Sequence, residues 1–301
     1  MNIYDTIIIG GGPAGLCAAI YLLRANKKVL LFESETLGGA ITKSDIVENY
    51  PGISEISGLE LGSNMSSQAK NLGLEIIMQK VLAITKEKDI FSVSVKSNKY
   101  YAKTIVYATG TRPRMLDCKN AESFIGKGVS TCATCDGFFF KNKSVLVVGG
   151  GNTALTDALY LSNICSHVYV SYRRDNLRGE PLKIKRLKSK ENVTILYNSI
   201  VKEIIGKDVI EKVSLTVDDA PKEINVSGVF VAIGSIPNTE LIKDLVTLDQ
   251  NGYALSNYQL ETTVPGLYVA GDVREKNVRQ LTTAVSDGTI VSKEILDYLE
   301  S

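Results

Sequence analysis

The sequence predicts an α/β protein of two Rossmann-like, three-layer domains, the second inserted into the first. Three observations carry that expectation. A strand–glycine turn–helix pattern occurs twice, offset by 139 residues. Short, wholly apolar runs typical of buried parallel strands recur after each copy. The length of 301 residues exceeds what one hydrophobic core usually serves, about 250–300 residues.

The first copy runs Ile7–Ile8–Ile9, then Gly10–Gly11–Gly12–Pro13–Ala14–Gly15, then Ala18–Ala19–Ile20–Tyr21–Leu22. The second runs Val145–Leu146–Val147–Val148, then Gly149–Gly150–Gly151–Asn152–Thr153–Ala154, then Ala158–Leu159–Tyr160–Leu161. Each is followed by another β-rich run, Lys28–Glu33 and His167–Tyr172, which completes a βαβ unit. The glycine spacing has a physical cause. Gly10 and Gly149 permit the tight turn. Gly12 and Gly151 let a pyrophosphate approach the backbone, and Gly15 and Ala154 let helix and strand pack closely. The helix that follows points its first N–H groups at the phosphates. Two copies in this context imply two dinucleotide sites. Three more runs read as strands ending in turns: Val106–Gly110, Val229–Gly234 and Leu267–Asp272. The simplest architecture is a first domain of residues 1–112 plus 241–301, with residues 113–240 as the insert.

The residue after each second strand separates the two sites. In the first copy it is Glu33, whose carboxylate can accept hydrogen bonds from ribose hydroxyls. In the second it is Tyr172, followed by Arg173, Arg174 and Arg178. A carboxylate repels a 2′-phosphate, whereas arginines pair with one bidentately. The first site therefore suits an unphosphorylated adenosine, as in FAD or NAD, and the second suits NADPH. The bland alternative for the arginines is a solvated basic surface continued by Lys183, Lys185 and Arg186.

Composition narrows the class. Lys and Arg total 34 against 33 Asp and Glu, so charge offers no argument for nucleic acid or a charged membrane. The most apolar stretch, Ile3–Leu23, is broken by Asp5 and the glycine turn, so neither a signal peptide nor a membrane span is expected. Five cysteines, an odd number, suit a reducing cytoplasm. A disulfide there is more often catalytic than structural.

Cys132–Ala133–Thr134–Cys135–Asp136 lies just upstream of the second glycine turn. Two cysteines so spaced can close a small ring and tune each other's acidity. Zinc is the rival, but a structural site wants a second ligand pair. Cys17, Cys118 and Cys165 are scattered and read as small apolar residues, and no metal site is expected. Thiol–disulfide exchange also needs a proton carrier. The single histidine, His167, falls between the second helix and its following strand and reads as structural. Asp136 is the neighbouring acid, either a general acid/base or a turn residue before Gly137.

Taken together these residues resemble the low-molecular-weight thioredoxin reductases over nearly the whole chain. The likeness also includes Val47–Glu48–Asn49–Tyr50–Pro51–Gly52, Ala108–Thr109–Gly110, Gly271–Asp272 and Arg279–Gln280. It implies a homodimer that carries FAD and NADPH and reduces thioredoxin. It further implies that Cys135 faces the flavin, Cys132 exchanges with thioredoxin and Asp136 moves protons. FAD would be held by Gly10, Gly12, Pro13, Ala14, Gly15, Glu33, Asp272, Arg279, Gln280 and Leu281, with Gly39, Ala40, Asn49, Val81, Thr109, Gly110 and Gly271 completing the set. NADPH would lie on Gly149, Gly151, Asn152, Thr153, Ala154 and the three arginines. Two positions depart from the family pattern: Tyr172 stands where histidine is common, and Ala40 where glutamine is. The runner-up is a related flavin dithiol reductase or oxidase with another donor, such as ferredoxin, or another dithiol partner. A non-catalytic nucleotide sensor would need the glycine turns but not the cysteine pair and its acid. Since the disulfide must meet both a flavin and a protein partner, the insert is expected to rotate as a rigid body about its two chain crossings.

The arginine cluster predicts the donor. Charge-assisted hydrogen bonds contribute roughly 1.5–3 kcal/mol each, so losing two should weaken NADPH by ~10²–10⁴-fold. We expect kcat/KM to favour NADPH over NADH by at least ~10-fold. Arg173→Ala/Arg174→Ala should erase most of that preference through NADPH alone.

Overall fold

The computed structural model describes residues 2–44 and 46–300. The chain forms two compact units, residues 1–112 with 236–301, and residues 113–235.

The first unit begins with β1 (Ile3–Ile9), α1 (Pro13–Arg24) and β2 (Val29–Glu33). After α2 (Gly58–Asn71) come β3 (Glu75–Met78), β4 (Ala83–Glu87), β5 (Ile90–Ser94) and β6 (Lys99–Tyr107). β7 (Thr111–Pro113) leads out of this unit. The second unit contains β8 (Val129–Ser130), the short turn of helix α3 (Ala133–Asp136), β9 (Ser144–Val148), α4 (Asn152–Leu161) and β10 (His167–Ser171). It continues with α5 (Pro181–Lys188), β11 (Val193–Leu196), β12 (Ser199–Gly206), β13 (Ile210–Val217), β14 (Ala220–Asn225) and β15 (Gly228–Val231). The chain returns through β16 (Ser235–Pro237), which pairs with β7, and ends in β17 (Leu267–Val269) and α6 (Leu281–Glu300).

In the first unit the strand order is β3-β2-β1-β6-β5-β4, with β17 also on β6. β1, β2, β3, β6 and β17 run parallel, whereas β4 and β5 are antiparallel additions. Alternation of side chains sorts the core into two faces. Ile8, Leu31 and Val106 pack with Leu16, Ala18, Val291 and Ile295 of α1 and α6. Ile7, Ile9, Phe32 and Tyr107 pack on the other face with Ile84, Phe91 and Val93.

The second unit repeats the plan with order β11-β10-β9-β15-β8, all pairs parallel. Val145, Val147, Val168 and Val170 meet Leu155, Ala158 and Leu161 of α4. Leu146, Val148 and Val229 meet Ile204, Val213 and Leu215 of the antiparallel β12-β13-β14 sheet. Both expected Rossmann-like sheets are therefore present. In each, one outer layer is helical and the other is largely antiparallel β.

Residues 236–240, assigned to the insert from sequence, belong to the first unit. Asn238 explains this. Its N–H donates to Gly110 O (3.1 Å) and its Nδ2 to Thr109 O (2.9 Å). The hydroxyls of Tyr107 and Thr109 both donate to its carbonyl at 2.8 Å. Among the described residues, no helix is long and apolar enough to cross a membrane.

Gly288 sets the approach of α6 to α1. A Cβ there would sit 2.5 Å from Ala14 O and 2.7 Å from Cys17 Cβ. Gly288→Val should therefore cost roughly 1–3 kcal/mol through overpacking. The expected result is a lowered urea midpoint, with the loss greatest for probes in the first unit.

Candidate functional site

In the first unit the glycine turn is shaped by neighbours on several strands. Gly10 has φ +108°, and a side chain there would strike Ala108 O and approach Thr109 N. Gly39 also lies against the turn, since a Cβ on it would be 2.9 Å from Gly12 Cα. Glu33 ends β2 and ties the turn down. Its Oε2 accepts the Gly11 N–H at 2.7 Å, and Oε1 accepts Ser34 and Glu35 N–H at the same distance. α1 then starts at Pro13 with no side-chain cap, which leaves its first N–H groups for a ligand.

Gly271, at φ +76°, brings the turn after β17 within contact of Ala14. Asp272 follows it. Its Oδ1 is buried and has no hydrogen-bond partner among the described residues. Burial pushes this carboxyl up, and the Lys276 and Arg279 cations oppose that shift. Arg279 donates to Asp272 O (3.4 Å) and Arg274 O (3.3 Å), and stacks 4.0 Å over the Tyr253 ring. Gln280 precedes α6, and its carbonyl accepts the Ala284 N–H at 3.0 Å. Thus Gly10, Gly12, Ala14, Gly15, Glu33, Gly39, Thr109, Gly271 and Asp272 converge on one end of the sheet. Val81 differs, because its side chain is buried in the core. Ala40 and Asn49 are exposed on the segments after Gly39 and Val47.

In the second unit the equivalent turn is dressed differently. Gly149 has φ +147° and abuts Ala154 and Ala232, while a Cβ on Gly151 would meet open space. The Tyr172 ring is buried and packs on Gly150, so no carboxylate stands there. The loop carrying the arginines is stapled to the turn. Arg178 N–H donates to Gly150 O at 2.7 Å, and Glu180 N–H to Asn152 Oδ1 at 2.8 Å. Arg173 and Arg178 are exposed and Arg174 is half-buried.

Cys132 and Cys135 form a disulfide with a Cα–Cα distance of 5.3 Å, inside the usual range. Both are half-buried. In this state neither is a thiolate, and so neither can ligate zinc. Ser130, at the end of edge strand β8, accepts the Cys132 N–H with its hydroxyl at 3.0 Å. The Cys132 carbonyl accepts the Asp136 N–H at 3.1 Å, which closes the helical turn. Thr134 Oγ1 lies 3.5 Å from Cys132 Sγ. Gly137 follows because Leu161 and Tyr160 of α4 leave no room for a side chain. Phe138 and Phe139 are exposed beside this turn.

His167 is elsewhere. It begins β10, bonds Thr194 Oγ1 at 2.9 Å and packs on Tyr169. β15 and β9 separate its strand from β8, and it lies at the opposite end of the parallel sheet from Cys132. Asp157, on α4, is a second carboxyl in this unit, pushed up to about 6 by burial. Among the described residues, no group of three or more His, Cys, Asp or Glu could hold a metal ion.

Residues 4–288 match the pyridine nucleotide-disulphide oxidoreductase family. The chain belongs to that family. This oxidoreductase is 40% identical over 299 residues to the thioredoxin reductase of Mycoplasma genitalium, covering 98% of this chain and 95% of that one. It is 38% identical over 302 residues to that of Bacillus subtilis, at 99% and 96% coverage. The solved thioredoxin reductase of Streptococcus pyogenes superposes with a TM-score of 0.92 at 38% identity, over 99% of this chain and 98% of that chain.

Sequence reasoning missed the residues that support the oxidoreductase's Asp272: Arg274, Lys276 and Asp287. One signal was available. Ala284, Asp287, Gly288, Val291, Ser292 and Ile295 form the buried stripe of α6, and an acid on such a stripe needs partners.

Thiol counting tests the disulfide. Burial raises the Cys17 and Cys118 thiols and pushes Cys165 up to about 11, so little thiolate exists near neutral pH. Alkylation of native oxidised protein at neutral pH should be slow at all three. After denaturation the oxidised chain should expose three thiols, and the reduced chain five.

Proposed function

We propose that the chain is an NADPH-dependent thioredoxin-disulfide reductase, with FAD on the first unit and NADPH on the second. The observation that carries this is the Cys132–Cys135 disulfide, followed at once by Asp136, in the same unit as the arginine-flanked glycine turn. The relatives named thioredoxin reductase support the choice of partner. Both cofactors fit the residues present. Buried Asp272 Oδ1 wants a hydroxyl donor, and the Gly12–Gly39 approach leaves backbone open beside the start of α1. Open space at Gly151, next to the arginine loop, suits a pyrophosphate and a 2′-phosphate.

When bound, FAD supplies the two-electron path from nicotinamide to disulfide. The protein's own steps follow. Two electrons break the Cys132–Cys135 S–S bond, and two protons taken up by the sulfurs leave a dithiol. Asp136 takes the proton from the Cys132 thiol, and the resulting thiolate attacks one sulfur of the partner's disulfide. A mixed disulfide forms while the partner's other sulfur leaves and is protonated. Cys135 then loses its proton and attacks Cys132 Sγ, and the displaced partner sulfur takes up a proton, which restores the internal disulfide and releases the partner as a dithiol. Phe138 and Phe139 offer an apolar surface beside the exchange. The reading includes a homodimer, rotation of the second unit between half-reactions, and a reducing compartment, which suits three free cysteines.

Mutations separate the roles. Cys132→Ser and Cys135→Ser should each abolish NADPH-dependent thioredoxin reduction while NADPH still bleaches the flavin. Asp136→Asn should slow dithiol–disulfide exchange by ~10²–10⁴-fold and leave flavin reduction nearly unchanged. Wild-type turnover in any of the three would overturn its assignment. Protein that reduces thioredoxin with ferredoxin but not with NADPH would favour the other donor.

A further inference from the structure

Asp287 is a carboxylate only 2% exposed. Arg274 grips it with two bonds, Nε to Oδ2 and Nη2 to Oδ1, both 2.9 Å. The Gly271 N–H donates to Oδ2 at 2.9 Å, which fixes the turn before Asp272. A bidentate guanidinium already matches the charge of Asp287. Yet Lys276 Nζ also lies there, 3.0 Å from Oδ2, with its side chain only 7% exposed.

A buried ammonium is costly unless a carboxylate neutralises it. With Asp287 taken by Arg274, the carboxylate left in reach is Asp272. Its Oδ1 is 3.5 Å from Lys276 Nζ. That is too long for a strong hydrogen bond but close for a charge pair, with the Lys276 side chain 7% and the Asp272 side chain 35% exposed. Asp272 is thereby stabilised as an anion while Oδ1 still lacks a hydrogen-bond donor. Arg279 holds the backbone on the other side through Asp272 O.

We infer that Lys276, seated on the Asp287–Arg274 pair, is a positioning residue that keeps Asp272 ionised and aimed at a hydroxyl of bound FAD. This rests on the first unit being the FAD site. A lysine that merely braces the turn would matter equally whether or not residue 272 carried charge. A double-mutant cycle tells these apart.

The experiment dilutes purified flavin-loaded protein and follows FAD release by recovery of flavin fluorescence. The expected result is that Lys276→Met and Asp272→Asn each weaken FAD by about 10–100-fold. Lys276→Arg should restore most of the affinity. In the Asp272→Asn background, Lys276→Met should cost less than about 3-fold more. Equal losses in both backgrounds, or full affinity in Lys276→Met, overturn the inference. If Lys276→Met does not fold, the same cycle is run with Lys276→Gln. Wild-type protein that holds no FAD would instead refute the cofactor assignment itself.

Discussion

The first turn of an α-helix has N–H groups without partners inside the helix, and in both units they open at a glycine turn that no side chain caps. Much of the surrounding structure follows from keeping that turn tight and uncovered. Gly10 and Gly149 adopt positive φ because Ala108 and Ala232 pass directly beneath them. A Cβ at either position would lie 2.3 Å from that alanine's carbonyl oxygen. What differs between the units is how the turn is tied. In the first, the Glu33 carboxylate accepts the Gly11 N–H. In the second, the Tyr172 ring packs on Gly150, and Arg178 N–H donates to Gly150 O. One anchor is an anion that suits ribose hydroxyls. The other is neutral and carries cations beside it.

The redox turn obeys a similar economy. β8 is an edge strand, and the chain leaving it must reverse at once into α3. Ser130 and the Asp136 N–H hold the Cys132 backbone through hydrogen bonds, so the sulfur is placed without burying it. Gly137 then lets the chain pass close over α4. The acid follows the second cysteine because one helical turn separates Cys132 from Asp136.

The buried cluster around Asp287 shows a different principle. Two carboxylates and three cations meet within one turn of chain and the first turns of α6. Such a group is tolerated in a low-dielectric place only when each charge has a partner. One member, Asp272, keeps a buried oxygen, Oδ1, with no hydrogen-bond partner among the described residues.

By itself, the sequence determined what depends on neighbours along the chain. The two glycine turns, Glu33 against Tyr172 and its arginines, and the Cys132–Asp136 run are local patterns. Their spacing follows strand and helix periods, so the fold class and the local form of these turns were legible. The tertiary structure decided what depends on distant segments. Asn238 binds Thr109 and Gly110, and so residues 236–240 join the first unit. Antiparallel strands, rather than helices, cover one face of each sheet. The Tyr172 ring packs under Gly150 instead of standing beside the turn. Lys276 and Asp287 meet because the loop before α6 folds back onto the buried face of that helix. Periodicity cannot report such contacts, because a hydrogen bond or ion pair between remote residues exists only once the layers are packed.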